Sequence, residues 1–339
     1  MEPEEPEEPE LEGEPFRRLS DDLKRAAATL TDREARYLVD AYYAMQDYRI
    51  QSEGIARSAE KFTEPHDVVS WFSAQSWALE QQIKGALGIY AKAHRAGRWA
   101  LSQHGIGPVL AAGLLAHIDI RKASTAGKIW RFAGLDPTAE WSGREAAKAW
   151  IKAHEEINDE EELLAIAAVA FKRKPDALRR MATFNLKDPG NPKDLTRDGI
   201  EAALCRRPWN ARLKVLCWKI GESFKKQSAS PKCHYGHVYR ERKAREVEGS
   251  ESGKFRDLAV ATLGKKNYRK SETKDAYLAG KLPDGRLDYR ATRYATKLFL
   301  SHWHWVLHES VLGCPPPKPY VVEHLGHAEL LSPPGWPCE

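Results

Sequence analysis

The sequence of 339 residues has no stretch of about 18 apolar residues, and it opens on Glu and Pro rather than on a basic and then apolar segment. A membrane span needs about 20 apolar residues and a secretory leader needs that basic-apolar start, so neither is expected and the chain reads as cytoplasmic. Cysteine is scarce. Cys205, Cys217, Cys233, Cys314 and Cys338 are odd in number, widely spaced and without a C-x-x-C pair, so a disulfide framework is not expected and the thiols read mostly as core. Residues 1–15 lack any basic side chain and hold eight Glu. With them set aside, 53 Lys and Arg face 40 Asp and Glu, so a net charge of +5 for the whole hides a basic body on an acidic, disordered tail (residues 1–16). That asymmetry points to a polyanion partner, with the tail a competitor for the same surface or a solubilising segment. The 11 Trp, 12 Tyr and 9 Phe exclude a disordered chain, and the length allows two or three structural units.

Helical spacing dominates what is present. Thr31 and Glu34 form a capping box, after which Leu38, Ala41, Met45, Tyr48 and Ile55 recur at mostly helical steps. Glu64-Pro65-His66-Asp67 breaks the pattern, and a second helix from about Val68 to His94 carries Trp71, Leu79, Ile83, Leu87 and Tyr90. Residues 17–97 are therefore expected to form a coiled-coil helical hairpin, whose wide apolar stripes face either a second copy of the chain or the rest of the monomer. Next comes Gly105-Ile106-Gly107-Pro108 before an Ala/Leu helix. Paired glycines before a helix suit close approach to a phosphate, in the manner of a helix-hairpin-helix; the alternative is a small-residue helix packed tightly on a neighbour. Without a preceding strand or a third glycine the dinucleotide-binding reading fails. Residues 144–205 read as a helical insertion, its Glu155–Glu162 acidic run a solvated face rather than a metal site.

Residues 206–245 hold twelve Lys and Arg against Glu222 and Glu241, interleaved with Trp209, Trp218, Phe224, Tyr235 and Tyr239. Cations beside stacking surfaces are the pattern of nucleic-acid binding, although Trp218 and Phe224 equally suit a core. Arg290, Arg293 and Lys297 add a basic helical face at i, i+3 and i+7. Catalytic signals are thinner. The acidic strands of a two-metal nuclease are not visible before Gly105. Cys233-His234-Tyr235-Gly236-His237 has residue types of a ββα-metal nuclease without its architecture, and zinc there would need distant partners such as His302, His304 or His308. Ser142, in the turn-rich Gly134–Gly143, is the one candidate nucleophile, with no activating base in view and a plain turn serine as the alternative.

Gly105-Ile106-Gly107-Pro108 with its Ala/Leu helix, then Trp130-Arg131-Phe132-Ala133-Gly134-Leu135-Asp136-Pro137, resembles the C-terminal domain of insertion-sequence transposases guided by a bridge RNA. In that family the domain carries a catalytic serine, near which Ser142 falls, and follows an RNase-H-like domain that is missing here. The order Gly107-Pro108, Ala133-Gly134, Arg206-Arg207-Pro208-Trp209-Asn210-Ala211-Arg212 is similar to the Nop domain of box C/D ribonucleoproteins. The Tas proteins of tandem interspaced guide RNA (TIGR) systems join both, and the chain resembles their nuclease-free TasA type. The resemblance implies a mainly α protein: the hairpin, a Nop-like segment at 98–143, the insertion, and a basic part at 206–339. It implies a homodimeric ribonucleoprotein without cofactor or metal, binding guide RNA and recognising target DNA. Arg206, Arg207, Arg212, Lys214 and Lys219 would contact phosphates, Trp209 would stack or wedge, and Asn210 would hydrogen-bond RNA. Gly105, Gly107 and Arg131 would lie near the nucleic-acid backbone, with Lys225, Lys226, Arg240, Arg242, Arg290, Arg293 and Lys297 also touching it. The rival expectations are a transposase or serine recombinase acting through Ser142, and a plain DNA-binding accessory protein.

Overall fold

The computed structural model describes residues 18–60, 67–265, 271–317 and 331–337; the acidic tail, the break at Glu64-Pro65-His66 and Cys338 lie outside the described residues. Among the described residues the chain is mainly α and contains no strand, and no helix is long and apolar enough to cross a membrane. In order, the helices are α1 (Asp21–Ala27), α2 (Asp32–Glu60), α3 (Asp67–Ala93), α4 (Arg95–Ser102), α5 (Pro108–His117), α6 (Ala126–Phe132), α7 (Arg144–Lys152), α8 (Glu160–Ala170), α9 (Pro175–Ala182), α10 (Arg197–Leu204), α11 (Ala211–Lys226), α12 (His234–Glu251), α13 (Arg256–Lys265), α14 (Glu272–Leu278) and α15 (Asp284–Leu307).

The hairpin forms as its spacing predicts. At the head of α2 the Thr31 N–H donates to Glu34 Oε2 at 2.8 Å and the Glu34 N–H donates to Thr31 Oγ1 at 3.3 Å, satisfying two orphan donors reciprocally. Tyr90 donates to Asp32 at 3.1 Å while Arg49 meets Glu80 at 2.8 Å, so α2 and α3 run antiparallel. Ile83, Leu87 and Tyr90 are buried against the body, whereas Tyr48, Ile55 and Trp71 are exposed toward the other end of the hairpin.

Helix α5 is buried from Val109 to His117 except Leu110, the pattern of a helix enclosed on all sides. It packs against α2, α3, α4 and α11. Small residues make that possible: a Cβ on Gly113 would lie 2.7 Å from Leu216 Cδ2 on α11. The tight-packing alternative for the Ala/Leu helix is thus realised along its length, with Gly107 as N-cap and Pro108 in the first turn. Gly105 has φ +98°, and its carbonyl accepts from Ser223 Oγ at 2.6 Å; it makes the turn that docks α5 against α11. Behind α5, α15 brings Phe299 and Trp303 against Trp99 of α4, with ring centroids 5.8 and 6.3 Å apart. Trp99 Nε1 donates to the Pro334 carbonyl at 2.9 Å, holding residues 331–337 on the same core.

Helices α7 to α10 enclose a separate apolar cluster that includes Ile151, Leu163, Leu178 and Ile200. Asp159 caps α8 through the N–H groups of Glu161 and Glu162, and Glu160, Glu161 and Glu162 occupy its first turn, where the helix dipole favours anions. Glu161 pairs with Arg179 at the surface. The acidic run is a solvated, capped helix start. A third small cluster joins Phe255, Ala259, Tyr277, Leu282 and Leu287 across α13, α14 and the start of α15.

Buried histidines add pH dependence. His302 Nδ1 lies 2.8 Å from the Tyr235 hydroxyl and Nε2 lies 3.1 Å from the Leu331 carbonyl, an arrangement that suits neutral imidazole. Burial pushes its pKa down to about 4 from 6.5, and His117 likewise, with Arg36 and Arg212 adding to the fall. Because the unfolded chain takes up these protons first, stability is full above pH ~6.5 and falls as the pH drops toward 4. A series of melting curves across that window is expected to show the loss, and His302→Asn to flatten part of it. Gly97→Ala tests the packing: its Cβ would meet the Ala91 carbonyl oxygen at 2.0 Å, so urea denaturation is expected to show a loss at or above the ~1–3 kcal/mol of an overpacked core.

Candidate nucleic-acid interface

Helix α11 organises the candidate surface. Asn210 is its N-cap: Oδ1 accepts the Leu213 N–H at 3.0 Å, and Nδ2 lies 3.4 Å from His117 Nδ1. Its side chain, expected to meet RNA, is thus engaged in starting the helix. Leu213, Leu216, Cys217, Ile220 and Phe224 turn inward, leaving Val215 and Trp218 on the open side, 52% and 55% exposed. Two grooves flank this ridge. On one side α15 supplies Tyr289, Thr292, Arg293 and Thr296 opposite Arg207, Lys214 and Trp218. On the other, α2 supplies Asp40, Tyr43 and Asp47 opposite Arg207, Arg212 and Lys219. That second groove runs on to Gly107 and Pro108 at the start of α5, joined there by Lys84, Lys219 and Lys226. Trp218 borders all of them, making one continuous surface.

The cations fall into two groups. In the first, a carboxylate neutralises the charge. Glu246, 3% exposed, is gripped by Arg242 and by Arg290, the latter at 2.7 Å. Asp288 accepts from Lys225 at 2.6 Å, from Lys243 at 3.3 Å and from the Tyr239 hydroxyl. Burial works to raise both carboxyl pKa values, but the cations outweigh it and hold them below the ordinary range. Lys225, Arg242 and Arg290, expected to contact nucleic acid, are therefore held in ion pairs between α11, α12 and α15. Arg212 forms a more exposed pair with Asp40 at 2.5 Å, and Arg131 lies 3.7 Å from Asp136.

In the second group an aromatic ring holds the cation. Arg207 lies over Trp141 at 4.9 Å, Lys214 over Trp209 at 4.2 Å, Lys219 over Tyr43 at 3.9 Å and Lys297 over Trp130 at 4.4 Å. A ring face orients a cation without cancelling its charge, so these groups keep their attraction for phosphate. Desolvation lowers the pKa of Lys214, with Arg293 and Arg207 adding repulsion; Lys297 is lowered by burial and then by Arg293, and Lys219 by burial, with Lys226 contributing. Arg293 donates to the Leu135 carbonyl, which fixes its head at the mouth of the α15 groove. Trp209 packs on the backbone of Gly134, whose φ is +66° and where a Cβ would lie 2.8 Å from the ring. It is a fixed platform under Lys214. Arg206 and Arg240 are exposed without lining the grooves.

Trp218, which the sequence leaves open between a stacking surface and core, belongs to this surface together with Tyr289, Tyr43 and Lys84, which are not singled out by sequence. For Trp218 the signal was present: Val215, Trp218 and Glu222 share one helical face, opposite the buried Leu213, Ile220 and Phe224. Ser142 is exposed, next to the ring on which Arg207 lies. His234 and His237 sit in the first turn of α12, and among the described residues no three His, Cys, Asp or Glu side chains gather as a metal set.

The Glu246 network gives a direct test. Glu246→Gln leaves two half-open arginines facing each other, so equilibrium denaturation is expected to show a loss of about 2–3 kcal/mol, below the ~3–5 kcal/mol of a fully enclosed pair.

No curated protein and no solved structure matches the chain. A family model described as Transposase IS116/IS110/IS902 family matches residues 98–180, from α4 through most of α9, which includes α5 and Ser142 and stops before α11. Over that quarter of its length the chain is similar to the transposases of the IS116/IS110/IS902 family, which bears out the insertion-sequence side of the resemblance read from Gly105–Pro108 and Trp130–Pro137.

Proposed function

We propose that the chain is a guide-RNA-binding protein of the Nop-like, Tas type, which works as a homodimeric ribonucleoprotein and directs RNA-guided recognition of target DNA. The observation that carries the reading is the α11 ridge: Arg207, Lys214 and Lys219 are oriented by aromatic rings with their charge intact, and Trp218 stands between two grooves. Such a surface suits a single strand, whose phosphates meet the cations and whose bases meet the rings; sequence is then read by base pairing of the guide rather than by the protein. The hairpin of α2 and α3, exposing Tyr48, Ile55, Trp71 and Trp77, supplies the apolar area for a second copy.

Sequencing the nucleic acid that co-purifies with the full chain tests this, the expected result being a discrete small RNA. DNA alone would favour a plain DNA-binding accessory protein. Replacing Arg207, Lys214 and Lys219 by Ala is expected to weaken RNA binding and to lower the slope of log K against log salt by about one, or somewhat less for a single strand, for each phosphate that is no longer neutralised. Unchanged affinity sinks the assignment.

A second reading rests on the family match, which spans the exposed Ser142. Attack of its Oγ on a DNA phosphodiester would form a phosphoserine ester and release a strand ending in a hydroxyl; Arg207, which lies over the ring of the preceding residue Trp141, is the cation that would offset phosphate charge. This reading predicts a covalent protein–DNA adduct on denaturing gels that Ser142→Ala abolishes.

A further inference from the structure

The groove between α11 and α15 closes into a cavity of about 260 Å³. Pockets that enclose drug-sized ligands hold roughly 300–1,000 Å³, so this one suits a single ring system. Its walls are of two kinds. Trp218 and Tyr289, 55% and 49% exposed, stand at its sides. Arg207, Lys214 and Arg293 converge on it, and none of its lining residues is Asp or Glu. Their repulsion is uncompensated, and it adds to the desolvation that depresses Lys214. Arg207 and Lys214 are held by rings, and Arg293 is held by a neutral carbonyl, so the excess positive charge remains for a ligand. Thr292 and Thr296 also line the cavity, and each donates its hydroxyl proton to the carbonyl four residues back at 2.9 Å. Both side chains are buried and pack on Gly221 of α11, so they close the wall between the two helices and present no free donor.

Flat apolar walls and three cations without a carboxylate among the lining residues together describe one nucleotide: a base between rings and a phosphate on the cations. We infer that this cavity takes a single unstacked nucleotide of the bound RNA, its base against Trp218 and Tyr289 and its phosphate held by Arg207, Lys214 and Arg293. The inference rests on the reading of α11 as the RNA surface and goes further by specifying a splayed-out base at one place along it. A duplex keeps its bases stacked and offers none to the cavity, so the cavity distinguishes single strands from duplexes.

The experiment uses the full chain, with a mixed-sequence single-stranded RNA and the duplex of that sequence as probes. Trp218→Ala and Tyr289→Ala, both at exposed positions, are each expected to weaken single-strand binding roughly tenfold, the loss of one base–aromatic stack. Duplex affinity and the salt slope should stay as they are, since no cation is removed. Trp218→Phe should recover most of the loss, and the melting temperature of each variant checks the fold. Equal losses on strand and duplex overturn the inference, as do alanine variants that bind the strand as tightly as the natural chain. If Arg207→Ala and Lys214→Ala weaken strand binding while Trp218→Ala and Tyr289→Ala do not, the cavity assignment fails and the RNA surface stands. A natural chain that binds no RNA at all removes both.

Discussion

Close approach at α5 sets the rest of the structure. A helix buried nearly all round must be met by partners on every side, and those partners can come near only if its own side chains are small. The hydrogen at Gly113 lets Leu216 press onto the helix backbone, and the turn at Gly105 locks against Ser223. With α11 seated this way, its inward face is consumed by Leu213, Ile220 and Phe224, and Val215 and Trp218 on its opposite face are exposed among the described residues. The grooves beside Trp218 are what remains when α2 and α15 pack against the same core on either side of α11. Gly105 and Gly113 thus shape the surface from beneath, by fixing distances between helices.

The basic segment has a double use. Part of what appears in sequence as one block of positive charge builds the joint between α11, α12 and α15: Lys225, Arg242 and Lys243 from that block, with Arg290 from α15, pair with Glu246 and Asp288, each of which collects two cations. Arg242 and Arg290 also lie over rings, those of Tyr294 and Phe255, but share Glu246; the cations that keep a field toward solvent are those held on a ring without a carboxylate. Net charge therefore overstates the binding surface, while interleaved aromatics locate it. Trp141, Trp209 and Tyr43 are less stacking platforms for bases than brackets that hold Arg207, Lys214 and Lys219 at fixed heights.

Much of the fold was legible because its signals are local. The capping box at Thr31, the apolar steps through Leu87 and Tyr90, and the self-contained character of residues 144–205 all follow from patterns within one or two helical turns. The site was legible only in part. Sequence shows that Arg242 and Arg290 are basic, but their shared partner lies on a helix whose register against α15 depends on tertiary packing. Asn210 reads in sequence only as a polar group for RNA, because its role as a cap depends on where α11 begins. Trp218 suited a stacking surface and a core alike, because tryptophan is mostly buried on average; its periodicity against Leu213 and Phe224 is what turns it outward.

The main core draws on both sides of the insertion, with Trp99, Val109 and Leu114 before it and Leu216, Phe299 and Trp303 after it. During synthesis, α5 emerges nearly two hundred residues before α15. At about 5–20 residues per second that interval is on the order of ten seconds or more. For about the first hundred residues of it α5 lacks α11, the last of its four helical partners, and to its end Trp99 lacks Phe299 and Trp303, while α7 to α10 can close their own cluster at once. The nascent chain therefore has a long window in which α5 is a hydrophobic surface seeking cover, and the order of assembly, rather than the final stability, is where this architecture is most exposed to chaperones and to aggregation.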